Sequence, residues 1–388
     1  PGEGAAALVL KKLDRAIKDG DRIYSVIKGI GKAGGGGVET GAPSKNAYVL
    51  SLKRSFQDAG LSPASISYFE THGSGNPMED RIESEALNEY FTDTKTPFAI
   101  GSVKPNIGHA GAVSGLASLV KTSLCLYQEI IPPLTNFTEP ADSIWQNNTF
   151  HMPAFPQYWM RDRKDGPRRA CTSAMTTDGN CMHVVLEGYE SEPSARIPDT
   201  DTKERKRHLG FMAPGLFVVE GNSKNELIQG LQALSAHLKD TPGRDDPLSS
   251  SEKKDPAVDE TIEPLARSWH LKNRLNSDKK FAVSIVGEHI SQLEKSIFEA
   301  QAVVSSQTQQ NMNGPGGVSY VPSPLGSDGS VALVFPGSGN HYVGMGKSIG
   351  VLWPEILRTM DAETLQLKTQ FLPDCYIPWR TSWPPGWE

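Results

Sequence analysis

The chain has 388 residues, 37% of them hydrophobic, and a formal net charge of −6. That length exceeds one ordinary core and implies two or three domains with enough apolar material to bury in at least one. The acidic balance, broken only by the short KERKRH stretch at 203–208, excludes a nucleic-acid binder. No apolar window nears the roughly 18 residues that span a bilayer, and the start, PGEGAAALVLKKLDRA, has no positive region ahead of its short apolar run. No membrane partner is expected, and a cytoplasmic location is. Cys125, Cys171, Cys181 and Cys375 lack CxxC spacing, so neither a disulfide framework nor a zinc ribbon is indicated. Cys171, Cys181 and His183 are too irregularly spaced for a metal site, and no metal is expected.

In chain order, AAALVL at 5–10 reads as a buried strand and IYSVIKGIGKA as a second. GKAGGGG at 31–37 lacks the GK[ST] ending of a phosphate loop and reads as a flexible loop. KNAYVLSLKRSFQDAG has helical spacing and stops on Gly60. ISYFET is a strand, DRIESEALNEYF a helix and FAIGSV a strand. GAVSGLASLVKTSLCLYQE is a long, nearly all-round apolar helix, and MHVVLEGY is a terminal strand. Glu79 and Asp80 are expected to cap the DRIESEAL helix. Cys125 falls inside a helix as core packing, and His183 is expected to be a buried structural residue.

A polar, Pro-bearing segment at 191–209 marks a boundary. Residues 210–305 read as a small α/β unit: LFVVEG and a helix capped by Asn222 or Ser223, then FAVSIVG and a second helix. The polar stretch 241–260 is expected to be a surface loop. A second linker covers 306–329, a strand and turn begin at VALVFPGSGNHYVGMG within 330–370, and a Pro/Trp-rich tail occupies 371–388.

Two histidines stand in Gly-bearing turns directly after strands: His72 in THGSGNPMED and His109 in GSVKPNIGHAGAVSG. Glycines beside His72 let a thin ligand approach. The positive end of the helix after His109 disfavours imidazolium, leaving a neutral ring that donates to an oxyanion. Lys104, five residues earlier, is placed to orient neighbouring groups or hold charge. If the two strands are neighbours, the rings meet at one sheet edge.

EGAAALVLKKLDRA, THGSGNPMED, GSVKPNIGHAGAVSGLASLVK and CTSAMTTDGNCMHVVLEGYE resemble, in order, the second half of a β-ketoacyl synthase (ketosynthase) of a type I polyketide or polyunsaturated-fatty-acid-type synthase. The resemblance implies a thiolase-like layered αβα fold for residues 1–190, followed by a small α/β ketosynthase–acyltransferase linker domain. It implies that His72, His109 and Lys104 are catalytic, in a decarboxylative Claisen condensation of an acyl thioester with a malonyl-carrier thioester. Ser74, Asn76, Asn106 and Thr177 are carried over as substrate-binding positions. Ser74 and Asn76 stand where threonines are usual, and Thr177 where the family has a gating Phe. No cofactor is bound directly; the substrate rides on the phosphopantetheine arm of an acyl carrier protein. The implied partners are that carrier, the N-terminal ketosynthase half and a second copy in a homodimer.

The family's nucleophilic cysteine lies upstream of residue 1, so the chain alone is expected to be inactive in condensation. Cys171, in RRACTSAM, is a poor substitute because it falls in a strand. A chain-length-factor-like module that binds the carrier without elongation is the alternative. Downstream, VALVFPGSGNHYVGMG resembles the start of an acyltransferase domain, with Ser338 replacing the usual glutamine.

Overall fold

The computed structural model describes residues 1–37, 42–94, 97–137, 150–190, 205, 214–239, 262–306, 310–326, 329, 330, 332, 334 and 345–370. The chain divides into residues 1–210 with 339–388, and residues 211–338. In the first unit, α1 (Leu13–Asp19) precedes β1 (Val26–Gly34), the short pair β2 (Gly36–Gly37) and β3 (Ala42–Pro43), α2 (Lys45–Ala59), β4 (Tyr68–Glu70) and α3 (Pro77–Tyr90). Then come β5 (Phe98–Gly101), α4 (Lys104–Ile107), α5 (Val113–Gln128), β6 (Ile130–Ile131), β7 (Phe150–His151), β8 (Gln157–Tyr158), β9 (Arg169–Met175) and β10 (Asn180–Glu187).

Six strands form one mixed sheet in the order β1-β10-β9-β4-β5-β7. Side-chain alternation gives it two apolar faces. Phe69, Ile100, Cys171 and Val185 meet Tyr48, Leu52 and Phe56 of α2 and Ala86 and Leu87 of α3. Tyr68, Ala99, Ala170 and Leu186 meet Cys125 and Leu126 of α5 on the other side. The result is the helix–sheet–helix layering expected. Close approach of α2 is permitted by Gly31, where a Cβ would collide with the Ser51 carbonyl oxygen. Because β9, β4 and β5 run parallel, their carboxyl ends gather at one edge.

In the second unit, β11 (Gly215–Gly221), α6 (Lys224–Lys239), α7 (Ile262–Lys272), β12 (Phe281–Gly287), α8 (Ile290–Ser305), β13 (Met312–Asn313) and β14 (Val318–Val321) form an antiparallel sheet, order β11-β12-β14-β13, with its helices. Leu227, Leu231, Leu293 and Ile297 pack on Phe217, Val219, Val283 and Ile285 in one core. Ser223, one of the two expected caps, accepts from the Glu226 N–H at 3.2 Å, while Glu226 accepts from the Asn222 N–H at 2.9 Å.

Several expectations change. Residues 5–10 form no strand: Val9 is 99% exposed. An apolar run becomes a strand only when a neighbour takes up its backbone groups, and none among the described residues does. The 31–37 stretch is sheet, not loop, since Gly31 and Gly34 lie in β1 and Gly36–Gly37 pairs with Ala42–Pro43. Helix α5 is not apolar all round against its neighbours. It turns Ser114, Ser118 and Thr122 to the interior and leaves Leu116 and Leu124 exposed.

The expected linker 306–329 supplies β13 and β14, with Val318 and Tyr320 buried. From 347 on, α9 (Lys347–Leu352), α10 (Pro354–Glu363) and α11 (Leu367–Gln370) belong to the first unit, where Leu357 and Leu367 pack on Ile130, Tyr158 and Met160. Apart from isolated positions, the segments expected at 191–209, 241–260, 331–346 and 371–388, with Ser338 and Cys375, lie outside the described residues.

A charge cluster fixes α10. Glu129, at the end of α5, accepts from Tyr158 Oη at 2.7 Å, Arg205 at 2.9 Å and Arg358 at 3.2 Å, with Arg168 at 3.5 Å. Burial alone would raise its pKa, but the three arginines hold it down at about 2. Glu129 therefore stabilises the fold above the ordinary carboxylate value of 4.5, and this is lost as pH falls towards 2. Glu129→Gln is expected to cost about 3 kcal/mol at pH 7. In chemical unfolding series, the gap from the unaltered chain should shrink steadily below pH 4.5; a gap independent of pH would contradict this account.

Candidate active site

The strand ends β4, β5 and β9 each contribute to one site. His72 follows β4 by two residues and is 4% exposed. Its turn is held by Glu83 on α3, a fully buried carboxylate. Glu83 Oε1 accepts from the His72 N–H at 2.9 Å and from Tyr48 Oη at 2.7 Å, while Oε2 accepts from the Gly73 N–H at 2.9 Å. Gly73 has φ +47, which favours glycine, and Gly75, φ +77, faces open space.

Lys104 opens α4 directly beyond β5 and is buried. Its Nζ donates to the His72 carbonyl oxygen and lies 3.5 Å from His72 Nδ1. Burial lowers the Lys104 pKa, while Glu83, Glu70, Asp80 and Glu79 act against that lowering. From β9, the Met175 N–H donates to His72 Nδ1 at 3.2 Å. A ring that accepts at Nδ1 carries its proton on Nε2 when neutral. His72 is neutral, because burial, then Lys104 and His109, push its pKa down to about 3.

His109 follows α4 and is half-buried. Its Nδ1 accepts from the Gly111 N–H at 3.2 Å, an acceptor role that places the ring proton on Nε2. The expected setting at a helix start is modified: the turn of α4 and residues 108–112 separate β5 from α5. The Gly2 N–H donates to the His109 carbonyl oxygen at 3.0 Å, and a Cβ on Gly2 would collide with the Ile107 carbonyl oxygen. The two imidazoles stand with centroids 5.5 Å apart and planes at 76°.

The structure thus brings His72, His109 and Lys104 together. The other expected positions are spread around them. Asn76 is the N-cap of α3, its Oδ1 accepting from the Met78 N–H at 3.0 Å. Ser74 Oγ accepts from the Asn76 N–H at 3.2 Å. Asn106 is exposed on α4, and Thr177 is exposed in the β9–β10 turn, two residues past Met175.

The expected capping by Glu79 and Asp80 is replaced by Asn76. Asp80 folds towards the Ser74 and Gly75 backbone N–H groups, and burial raises its pKa to about 6. Glu79 turns inward, its Oε2 3.5 Å from His72 Nε2. Since His72 is uncharged, this is a neutral N–H facing a carboxylate rather than an ion pair. Glu83 and Glu79 are i, i+4 partners on one helix face, a spacing legible in the sequence but not read as a site signal.

The described cysteines take no part. Cys171 is fully buried in β9 and its thiol is pushed far up by burial; Cys125 and Cys181 are pushed up to about 12. His183, fully buried, meets Ser51 Oγ at 2.6 Å through Nδ1, as a structural residue does. Among the described residues no cluster of His, Cys, Asp and Glu is placed to hold a metal.

Residues 24–138 match the family described as Beta-ketoacyl synthase, C-terminal domain. The chain is 33% identical over 243 residues to Lovastatin diketide synthase mokB of Monascus pilosus, covering 61% of this chain and 9% of that protein. It is 38% identical over 237 residues to Polyketide synthase PksL of Bacillus subtilis, covering 58% and 5% respectively. To the hybrid PKS-NRPS synthetase pytA of Aspergillus terreus it is 28% identical over 371 residues, covering 92% and 50%. A solved ketosynthase from module 6 of the bacillaene synthase of Bacillus subtilis 168 aligns with 76% of this chain and 46% of its own, at 26% identity and a TM-score of 0.44. The chain spans half or less of each relative's length.

Two outcomes are expected from this geometry. In an NMR titration the His72 ring resonances stay at their neutral-form positions from pH 8 down to roughly pH 4, and a transition near 6.5 would contradict the assigned burial. Glu83→Ala leaves the His72 and Gly73 N–H groups and Tyr48 Oη without their acceptor, so a loss of about 3 kcal/mol is expected in denaturant unfolding.

Proposed function

We propose, because residues 24–138 match the model of the β-ketoacyl synthase C-terminal domain, that this chain carries the histidine half of a condensing site in a polyketide-type synthase. The reaction is decarboxylation of a malonyl thioester and attack of the resulting enolate on an acyl thioester. The observation that carries this reading is the pair of rings 5.5 Å apart, each accepting at Nδ1 from a backbone N–H. Both therefore carry their proton on Nε2, and this reading assigns the two N–H groups to one substrate oxygen.

When the carboxylate leaves as carbon dioxide, the C–C bonding pair passes into the thioester carbonyl and an enolate oxygen gains charge. Donors fixed in place stabilise that charge as it forms. Lys104 supports the site through the His72 carbonyl oxygen. Its charge also opposes protonation of His72 and so preserves a neutral donor.

The acyl-accepting nucleophile is a separate requirement. Cys125, Cys171 and Cys181 are buried thiols rather than reactive thiolates. The carrier arm, the other ketosynthase half and a homodimeric parent belong to this proposal, as does reading 330–370 as the opening of an acyltransferase domain.

The test separates the half-reaction from condensation. The chain, given a malonyl-pantetheine thioester, is expected to release carbon dioxide, and His72→Ala or His109→Ala to lower that rate roughly 100-fold each. No condensation product is expected from the chain alone with an added acyl thioester. Equal decarboxylation by the unaltered chain and both variants would remove the reading.

A further inference from the structure

The side chain facing the donor of His72 is a carboxylate. Glu79 lies in the first turn of α3, is 5% exposed, and holds Oε2 3.5 Å from His72 Nε2. Met175 already occupies Nδ1, so Nε2–H is the one ring donor that a substrate oxygen can use. Glu79 stands on that donor.

The other charges around the site are already engaged. Glu83 accepts from three donors, Glu70 accepts from Lys121 at 2.8 Å and from Tyr68 Oη at 2.6 Å, and Lys104 is bound to the His72 carbonyl oxygen. Asp80 is turned to the Ser74 and Gly75 backbone, and His109 lies across from His72. A substrate carboxylate entering here meets Glu79 at close range in a buried setting, where like charges repel strongly.

We propose that Glu79 is a specificity-determining residue: its carboxylate, held beside His72, repels a second carboxylate and so sets a threshold against thioesters bearing one relative to uncharged acyl thioesters. The inference rests on the thioester reading above and adds a charge preference to it. A malonyl group docks productively when Glu79 is displaced from the ring. An uncharged acyl group has no such like-charge contact to overcome.

The test measures affinities of the full chain for malonyl-pantetheine and acetyl-pantetheine thioesters at pH 7. Glu79→Gln keeps the side-chain shape without the charge, and Glu79→Asp keeps the charge. Thermal unfolding of each variant is recorded alongside to establish that it folds. The expected result for Glu79→Gln is about tenfold tighter malonyl binding, with acetyl binding changed less than about twofold. Glu79→Asp is expected to keep the unaltered chain's preference. Parallel changes for both thioesters, or none, would overturn the charge threshold while leaving the thioester site standing. Binding of neither thioester to any of these proteins would overturn the site itself, and the threshold with it.

Discussion

Glu83 is the group on which the site's shape depends. A fully buried carboxylate is tolerated only when its oxygens are satisfied, and Glu83 is satisfied by the backbone of the very turn that carries His72, together with Tyr48 from α2. One side chain thus ties β4, α3 and α2 to a single arrangement. With the turn pinned, the His72 ring is delivered to the Met175 N–H at the end of β9 and its carbonyl to Lys104 beyond β5. Three parallel strand ends would lie at this edge in any case. The carboxylate makes the edge a site with fixed donor directions.

The parts legible in the sequence were those that repeat or punctuate. Helix α2 ends on Gly60 in the left-handed conformation, as its spacing and final glycine imply. The histidines were legible because each sits in a Gly-bearing turn after an apolar strand. The edge where they meet was legible only as a condition, since it needs β4 and β5 to be neighbours. Their parallel pairing, from Tyr68 opposite Ala99 to Glu70 opposite Gly101, fulfils it.

What escaped the sequence depended on register or on distant partners. Starting α3 at Pro77 under an Asn76 cap, rather than at Glu79 or Asp80, rotates Glu79 and Glu83 onto the inward face and sends Asp80 back to the turn. A shift of three residues in a helix start therefore decides whether a glutamate is a cap or part of a site. The strand at 5–10 failed for the opposite reason. Its composition suits a strand, but strand formation is a property of two segments, and Val9 has no ladder partner among the described residues. β13 and β14 were hidden by the Gly- and Pro-rich turns on either side of them, although Val318 and Tyr320 alternate inward as a half-buried strand requires.

Burial acts on Glu129, His72 and Cys171 alike, and its outcome is decided by the neighbours. Glu129 is surrounded by three arginines and stays ionised down to about 2. His72 is buried beside a lysine, so the same desolvation leaves it neutral down to about 3. Cys171 has no compensating charge and remains a thiol. This sorting leaves His72 a neutral N–H donor at the strand edge and gives the described residues no activated sulfur. Such a site is suited to receiving charge on an oxygen rather than to making a covalent bond. The division of labour follows from the environment of each group: arginines beside Glu129, a lysine beside His72 and no charge beside Cys171.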